Sequence, residues 1–349
     1  MHDSRSGEDF VWEWGRFDFS QAGFYGRLLK GTMLYSMGPA PLDAWIAAYG
    51  GAGRTVWAQE LALSPEQELA LHQRVLQNYQ PANRDYTYNY YLDNCSTRIR
   101  GHLDAVLNGQ LLQAIGGVES GTSWRDHTLR LLQGMPSAYA GVQFVLGRPG
   151  DREISSWDEL FLPMQLRAQV AELQIGSDEG RRPLVREEFV MNQGNRAAAP
   201  TERPGLWWLG VLVVGALLGG LALLLPGRAL GAWIMVWGFV PGVAGTILAA
   251  AWLFTDHTFW RWNENLLLAS PLTFAWMWVG WRLLLAKGVS IRVLQLARIL
   301  AGLAGAAVLL KVLPGAQGNL ELLALLAPIH LGLWLSVRRL GRPEADAGG

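Results

Sequence analysis

The chain has 349 residues, of which 50% are apolar and 17% charged, and its 29 basic and 29 acidic side chains leave a formal net charge of zero. That balance excludes the basic surface of a nucleic-acid binder. A single cysteine, Cys95, excludes an intrachain disulfide framework or a cysteine zinc site. The averages hide a break: up to about Pro204 polar, charged and aromatic residues mix, and beyond it run long segments with almost no charge. Many of the 17 tryptophans sit near the ends of these apolar runs, where amphipathic rings settle at a membrane–water interface.

In chain order, residues 10–19 (FVWEWGRFDF) alternate bulky side chains with the period of a strand, and residues 32–37 and 54–63 are further strand candidates. Ser64 then reads as a helix cap, with Pro65 at the first helical position and Gln67 closing a capping box. Leu69, His72, Leu76 and Tyr79 follow at helical spacing, so His72 is expected on a packed or boundary stripe. In YTYNYYLDNCSTRIRGHLDAVLNG, Ile99, Leu103, Val106 and Leu107 form an apolar helical face, and Gly109 suits the stop. Asp93 or Asn94 is the expected cap, which puts Cys95 in or just before the first turn. Unpaired backbone N–H groups and the helix dipole favour a thiolate there, and Arg98 adds a positive charge one turn on. The plain alternative is a cysteine that serves as a small buried apolar residue.

A thiol nucleophile needs a base, usually histidine. His102 lies on the same helix, roughly 10 Å along the axis and too far for direct contact. His127 in SWRDHTLR is the in-chain candidate if the fold brings it to the sulfur, and His2 sits at the chain start. No cluster of ligands points to a metal, and no cofactor is implied.

Residues 176–204 read as a polar linker. After it, five segments have the roughly 18–25 apolar residues that cross a bilayer: 206–225, 230–254, 266–285, 294–313 and 320–337. Loop charges orient them. Arg228, Arg282, Lys287, Arg292, Arg298, Arg338, Arg339 and Arg342 fall on one side, while Arg261, Lys311, Arg196 and Arg203 fall on the other. The first set is expected to be cytoplasmic, with the carboxyl terminus, and the amino-terminal domain external. The outer loop between the second and third spans gathers Asp256, His257, Asn263, Glu264 and Asn265, either as an ordinary polar loop or as a head-group site. An exported domain normally follows a signal peptide or leading helix, and MHDSRSGEDF is neither, so a start upstream of Met1 is expected.

WEWGRFDF, YTYNYYLDNCSTRIR, the GTSWR stretch and FLPM, together with FTDHTFWRWNENLLLASPL in the membrane half, resemble the Lnb family of bacterial lipoprotein N-acyltransferases. The resemblance covers most of residues 1–170, and DNCSTR after a tyrosine-rich lead is its most specific part. It implies an α+β papain-like domain of the permuted NlpC type over residues 1–175, followed by an all-α transmembrane bundle over 205–340. It also implies a multi-pass protein of the bacterial inner membrane with a periplasmic amino-terminal domain. Cys95 would take an acyl chain from a phospholipid as a thioester and pass it to the α-amino group of a diacylated lipoprotein. Asp93, Asn94 and Arg98 beside the thiol, and Asp256, His257, Asn263 and Asn265 at the membrane, are the expected substrate-binding residues. The family's histidine stands in a Gly-His motif ahead of the matching residues, so the base is expected upstream of Met1 and the sheet edge near residues 10–14 incomplete. Two other functions remain open: a membrane-anchored cysteine hydrolase of cell-wall peptides or amides, and a non-catalytic envelope scaffold.

Overall fold

A computed structural model of the protein describes residues 2–3, 7–177 and 180–341, so Arg342 of the charge set expected to be cytoplasmic lies outside the described residues. The chain forms two compact units, one of Met1–Trp124 with Glu153–Ala199 and the other of Arg125–Arg152 with Pro200–Gly349. The first is mixed α/β and the second helical.

In the first unit, β1 (His2–Asp3), β2 (Glu8–Phe17), β3 (Leu34–Pro41) and β5 (Asp85–Thr87) make a sheet in that order, while β4 (Val56–Leu61) lies outside it. β2 and β3 pair antiparallel from Phe10↔Pro41 to Phe17↔Tyr35, and β3 pairs with β5 through Tyr35↔Tyr86. β1 pairs with β2 only at Asp9 and Glu8; among the described residues, 11–17 of β2 pair with β3 alone. Alternation along β2 turns Trp14 inward, where it packs with Met37, Val75 and Tyr86. The β2–β3 connection carries α1 (Phe24–Lys30), which buries none of its residues, and α2 (Leu42–Gly51) follows β3.

α3 (Pro65–Tyr79) begins as its sequence predicts: Ser64 Oγ accepts from the Gln67 N–H, and the Gln67 side chain accepts from the Ser64 N–H. Its inward stripe differs. Leu71, Val75 and Tyr79 face the core, while Leu69, His72 and Leu76 are exposed, because the inward register is set by the Trp14 cluster the helix packs on. α4 (Cys95–Val106) lies between two cores: Cys95 packs at the edge of the Trp14 cluster, and Leu103 and Val106 enter a second cluster with Leu111, Leu160 and Leu166. α5 (Gln110–Ile115) follows Gly109, whose φ of 79° is the left-handed conformation expected at a helix stop. β6 (Glu119–Ser123) completes this stretch, and the chain enters the second unit within α6 (Trp124–Leu131), continuing into α7 (Pro136–Val145).

On return, β7 (Glu153–Ser155) pairs with β6, and α8 (Ser156–Glu159) and α9 (Pro163–Glu172) pack beneath α4 and α5. The expected linker is largely structured. β8 (Gln174–Ser177) and β9 (Gly180–Pro183) form a hairpin, and β10 (Val185–Asn192) pairs antiparallel with β4. Charged side chains concealed these strands in the sequence. Arg167 and Arg186 hold Glu188 and Glu60 across their exposed faces.

Among the described residues, the second unit has four helices long and apolar enough to cross a membrane: α10 (Trp207–Leu224), α11 (Gly227–Phe254), α13 (Ile291–Leu309, continuing to Val312) and α14 (Leu320–Leu340). The expected third span is instead two 3₁₀ turns, Glu264–Leu267 and Pro271–Phe274, followed by the ten-residue α12 (Ala275–Leu284). Ser270 caps the second turn and Pro271 starts it, which prevents one continuous helix. This segment lies antiparallel beside α11, with Gly245 against Ala269, Gly238 against Met277 and Gly231 against Gly280.

α10 and α14 pack in parallel. A methyl group built on Gly215 would meet the carbonyls of Ala324 and Leu325; on Gly219, that of Pro328; and Gly332 lies on the Gly219 carbonyl. Small residues let helix backbones approach this closely in a bilayer. Pro328 has no N–H to give the Ala324 carbonyl, and Gly215 fills the space beside that freed group.

Candidate active site

The approach to Cys95 is a tight turn. Asn89 and Asp93 exchange both backbone hydrogen bonds, 2.9 and 3.1 Å, and the Asn89 side-chain oxygen accepts from the Tyr91 and Leu92 N–H groups. Asn94 then caps α4. Its Oδ1 accepts from Thr97 N at 2.9 Å, Thr97 Oγ1 accepts from Asn94 N at 2.8 Å, and its Nδ2 donates to the Tyr90 and Phe161 carbonyls. Ser96 Oγ donates to the Leu160 carbonyl at 2.7 Å. With the residues on both sides of it pinned, Cys95 is fixed as the first helical residue.

The thiol is half-buried, and its surroundings are aromatic. Tyr35, Tyr49, Tyr86 and Tyr88 all lie within electrostatic reach of the sulfur. Tyr35 and Tyr88 stack at 4.1 Å, and the Tyr86 hydroxyl donates to the Trp14 carbonyl. Burial pushes the Tyr86 phenol up and that of Tyr88 to about 12, so both are neutral donors at neutral pH. Burial also pushes the Cys95 thiol up, against the smaller pull of the Ser96 and Cys95 N–H groups. The helix-start argument leads one to expect a favoured thiolate. The N–H groups act as expected, but desolvation by the tyrosine wall outweighs them.

Among the described residues no imidazole hydrogen-bonds the Cys95 sulfur. His102 points elsewhere: its Nε2 lies 3.2 Å from Asn78 Oδ1, and its ring lies 5.1 Å from that of Trp14. Asn78 Oδ1 also accepts from Trp14 Nε1 at 2.7 Å, so this oxygen takes two donors and His102 carries its proton on Nε2. Burial, with Arg74 and Arg98 adding to it, lowers His102 to about 4. His127 belongs to the second unit, buried, with its Nδ1 accepting from Arg130 Nε at 3.1 Å.

The other expected substrate-binding residues separate into two groups. Asp93, Asn94 and Arg98 surround the helix start, but they bond one another and the frame. Arg98 makes a two-pronged ion pair with Asp93, 2.5 Å on each side, and its guanidinium lies 4.4 Å over the Tyr86 ring. In the second unit, Asp256 is exposed and His257 stacks on Trp260 at 4.1 Å.

Asn263 and Asn265 are buried in a polar layer that closes the end of α7. The last carbonyls of a helix have no partner within it. Here Asn265 Nδ2 donates to the Gln143 and Phe144 carbonyls, Asn263 Nδ2 to those of Phe144 and Val145, and Gln317 Nε2 and Arg125 to that of Leu146. Arg125, fully buried, also binds Asp151 through two nitrogens and Gln143 Oε1 at 2.7 Å. Glu264 pairs with Lys311 at 2.5 Å, and Glu321 accepts from Tyr139 at 2.9 Å. These bonds explain why residues 125–152 belong with the membrane helices, although the sequence places them inside one amino-terminal domain.

Residues 19–132 match the family model of the Lnb N-terminal periplasmic domain. The chain carries an Lnb domain. No curated protein and no solved structure matches the chain. The Lnb match includes Cys95, its tyrosine wall and the turn that leads into α4; it is a match to a periplasmic domain, and the four apolar helices described are consistent with a membrane protein. Among the described residues there is no group of three His, Cys, Asp or Glu side chains suited to a metal ion. Sequence reasoning missed the tyrosine wall, although Tyr86 and Tyr88 stand two apart in a strand-like segment and so share a face.

Proposed function

We propose that this protein is a lipoprotein N-acyltransferase of the inner membrane, its Lnb domain an α+β papain-like fold of the permuted NlpC type. The observation that carries this reading is the Lnb domain's sole cysteine, pinned at a helix start beside a wall of tyrosines, in a chain with four membrane-length helices. The Cys95 sulfur attacks the ester carbonyl of a phospholipid; a C–S bond forms, the C–O bond breaks, and the lysophospholipid oxygen leaves with a proton. The α-amino nitrogen of a diacylglyceryl-cysteine lipoprotein then attacks the thioester; C–N forms, C–S breaks, the amine loses a proton and the thiol is restored. Splitting one acyl transfer in two lowers each barrier. Confining donor, enzyme and acceptor to one membrane raises their effective concentration.

A raised thiol pKa fits this division of labour. The thiol resists ionising in the resting protein, and a base is needed when the donor is bound. The same raised value also favours a non-catalytic envelope scaffold. Incubation of the protein with phospholipid and intact-mass measurement separates the two: an added acyl mass that hydroxylamine removes is expected, and Cys95→Ala should abolish it without changing the melting temperature. A Cys95→Ala protein that still acylates a diacylated lipopeptide would end the covalent mechanism.

A further inference from the structure

The β2–β3 connection is an exposed apolar projection. Phe19 and Tyr25 are each 79% exposed and Leu29 is 71% exposed, with Leu28 beside them. An apolar patch of this kind is uncommon on a soluble domain and marks a binding surface. Its rings pack on one another. Phe17 contacts Phe19 at 4.8 Å and Phe24 at 6.1 Å, Phe24 meets Tyr25 at 5.2 Å, and α1 ends in a left-handed Gly31. The last turn of α1 carries Arg27 and Lys30, so cations flank the apolar tip. The projection also leads inward. Phe17 contacts Tyr35 at 4.9 Å, Tyr35 stacks on Tyr88, and both tyrosines pack with Cys95 against one core cluster, within electrostatic reach of its sulfur.

We propose that residues 18–33 form a membrane-docking finger, and that the Phe17–Tyr35–Tyr88 lane guides a phospholipid acyl chain from the bilayer to Cys95. The occupant is a phospholipid surface for two reasons. Four helices of the same chain are able to cross a membrane, so a bilayer is tethered to the domain in every copy. An apolar tip with an aromatic hydroxyl and flanking cations matches the headgroup–acyl boundary of an anionic membrane. The lane rests on the acyltransferase reading; the docking does not.

The test uses the full chain in nanodiscs of phosphatidylethanolamine and phosphatidylglycerol. Because Cys95 is the only cysteine, a C95S background with Leu29→Cys carries one environment-sensitive dye at the tip, and Gln73→Cys on α3 is the control. The tip dye is expected to shift to the blue and to be quenched by bromolipids at least about twofold more than the control. Equal quenching, or a blue shift without bromolipid quenching, which would mean a protein partner, overturns the docking. Separately, Phe19→Ser with Leu29→Ser should slow acylation of Cys95 by bilayer phospholipid about tenfold, about 1.4 kcal/mol of lost apolar contact. Acylation by a water-soluble short-chain thioester should be unchanged. Undiminished transfer from the bilayer overturns the lane. Failure of the unaltered protein with both donors overturns the acyltransferase reading instead, and the dye still decides the docking.

Discussion

Arg125 and Cys95 are polar groups withdrawn from water in opposite ways. Arg125 is fully buried, and its guanidinium is spent on Asp151, Gln143 and two backbone carbonyls. The Cys95 sulfur has two backbone N–H groups and a wall of tyrosines, and its ionised form is disfavoured. A buried charge with a partner on every nitrogen fixes a structure; a buried group left short of partners keeps reactivity in reserve. Removing Arg125 should therefore unfold the polar layer, while removing Cys95 should cost chemistry alone.

The largest expected effect is that of Arg125→Met. It leaves the Asp151 carboxylate without its cation, and loss of one partner from such a buried pair costs about 3–5 kcal/mol. Thermal unfolding in detergent should show a large fall in midpoint; a loss below about 1 kcal/mol would mean that the layer is not structural.

His102 gives an intermediate effect with a definite sign. Its folded value, about 4, lies below the unfolded value, so the folded protein refuses a proton that the unfolded chain accepts. Stability is complete above about pH 6.5 and falls as the pH drops toward 4. After allowance for the half-exposed ring, the loss should be about 1–2 kcal/mol between pH 7 and pH 4.5. Urea unfolding of the native protein and of His102→Gln at both values would check it; an equal acid loss in the variant assigns the effect elsewhere.

The smallest effect belongs to Arg98→Ala. The Asp93–Arg98 pair is about a third exposed, so the ion pair and the stacking on Tyr86 together should contribute no more than about 1 kcal/mol. A double-mutant cycle with Asp93→Asn measures the pair. A coupling above about 2 kcal/mol would place it with the Arg125 type of site.

What the sequence revealed follows the range of the forces involved. Ser64 with Gln67 and Asn94 ahead of Cys95 are local signals, and both helix starts stand where those residues predict. The four long helices are legible because a bilayer demands unbroken apolar runs. The polar layer was not legible, since Asn263 and Asn265 find their carbonyls at residues 143–145, far away in the chain. The same polar loop and Pro271 break the expected third span. Nor does the spacing around Cys95 disclose that the tyrosines of two strands would desolvate it. The pattern located the thiol, and only the fold determines its proton affinity.

The contact of Gly215 and Gly219 with the backbone of α14 also sets an order of assembly. Of the four membrane-length helices described, α10 is synthesised before the other three and α14 after them, so the glycine face of α10 lacks its α14 partner until residues 320–340 are made. This seam cannot close by adding neighbours in sequence; α10 waits for α14. A ribosome that stopped before residue 320 would leave α10 and α11 able to insert but the seam between the two ends of the unit unmade.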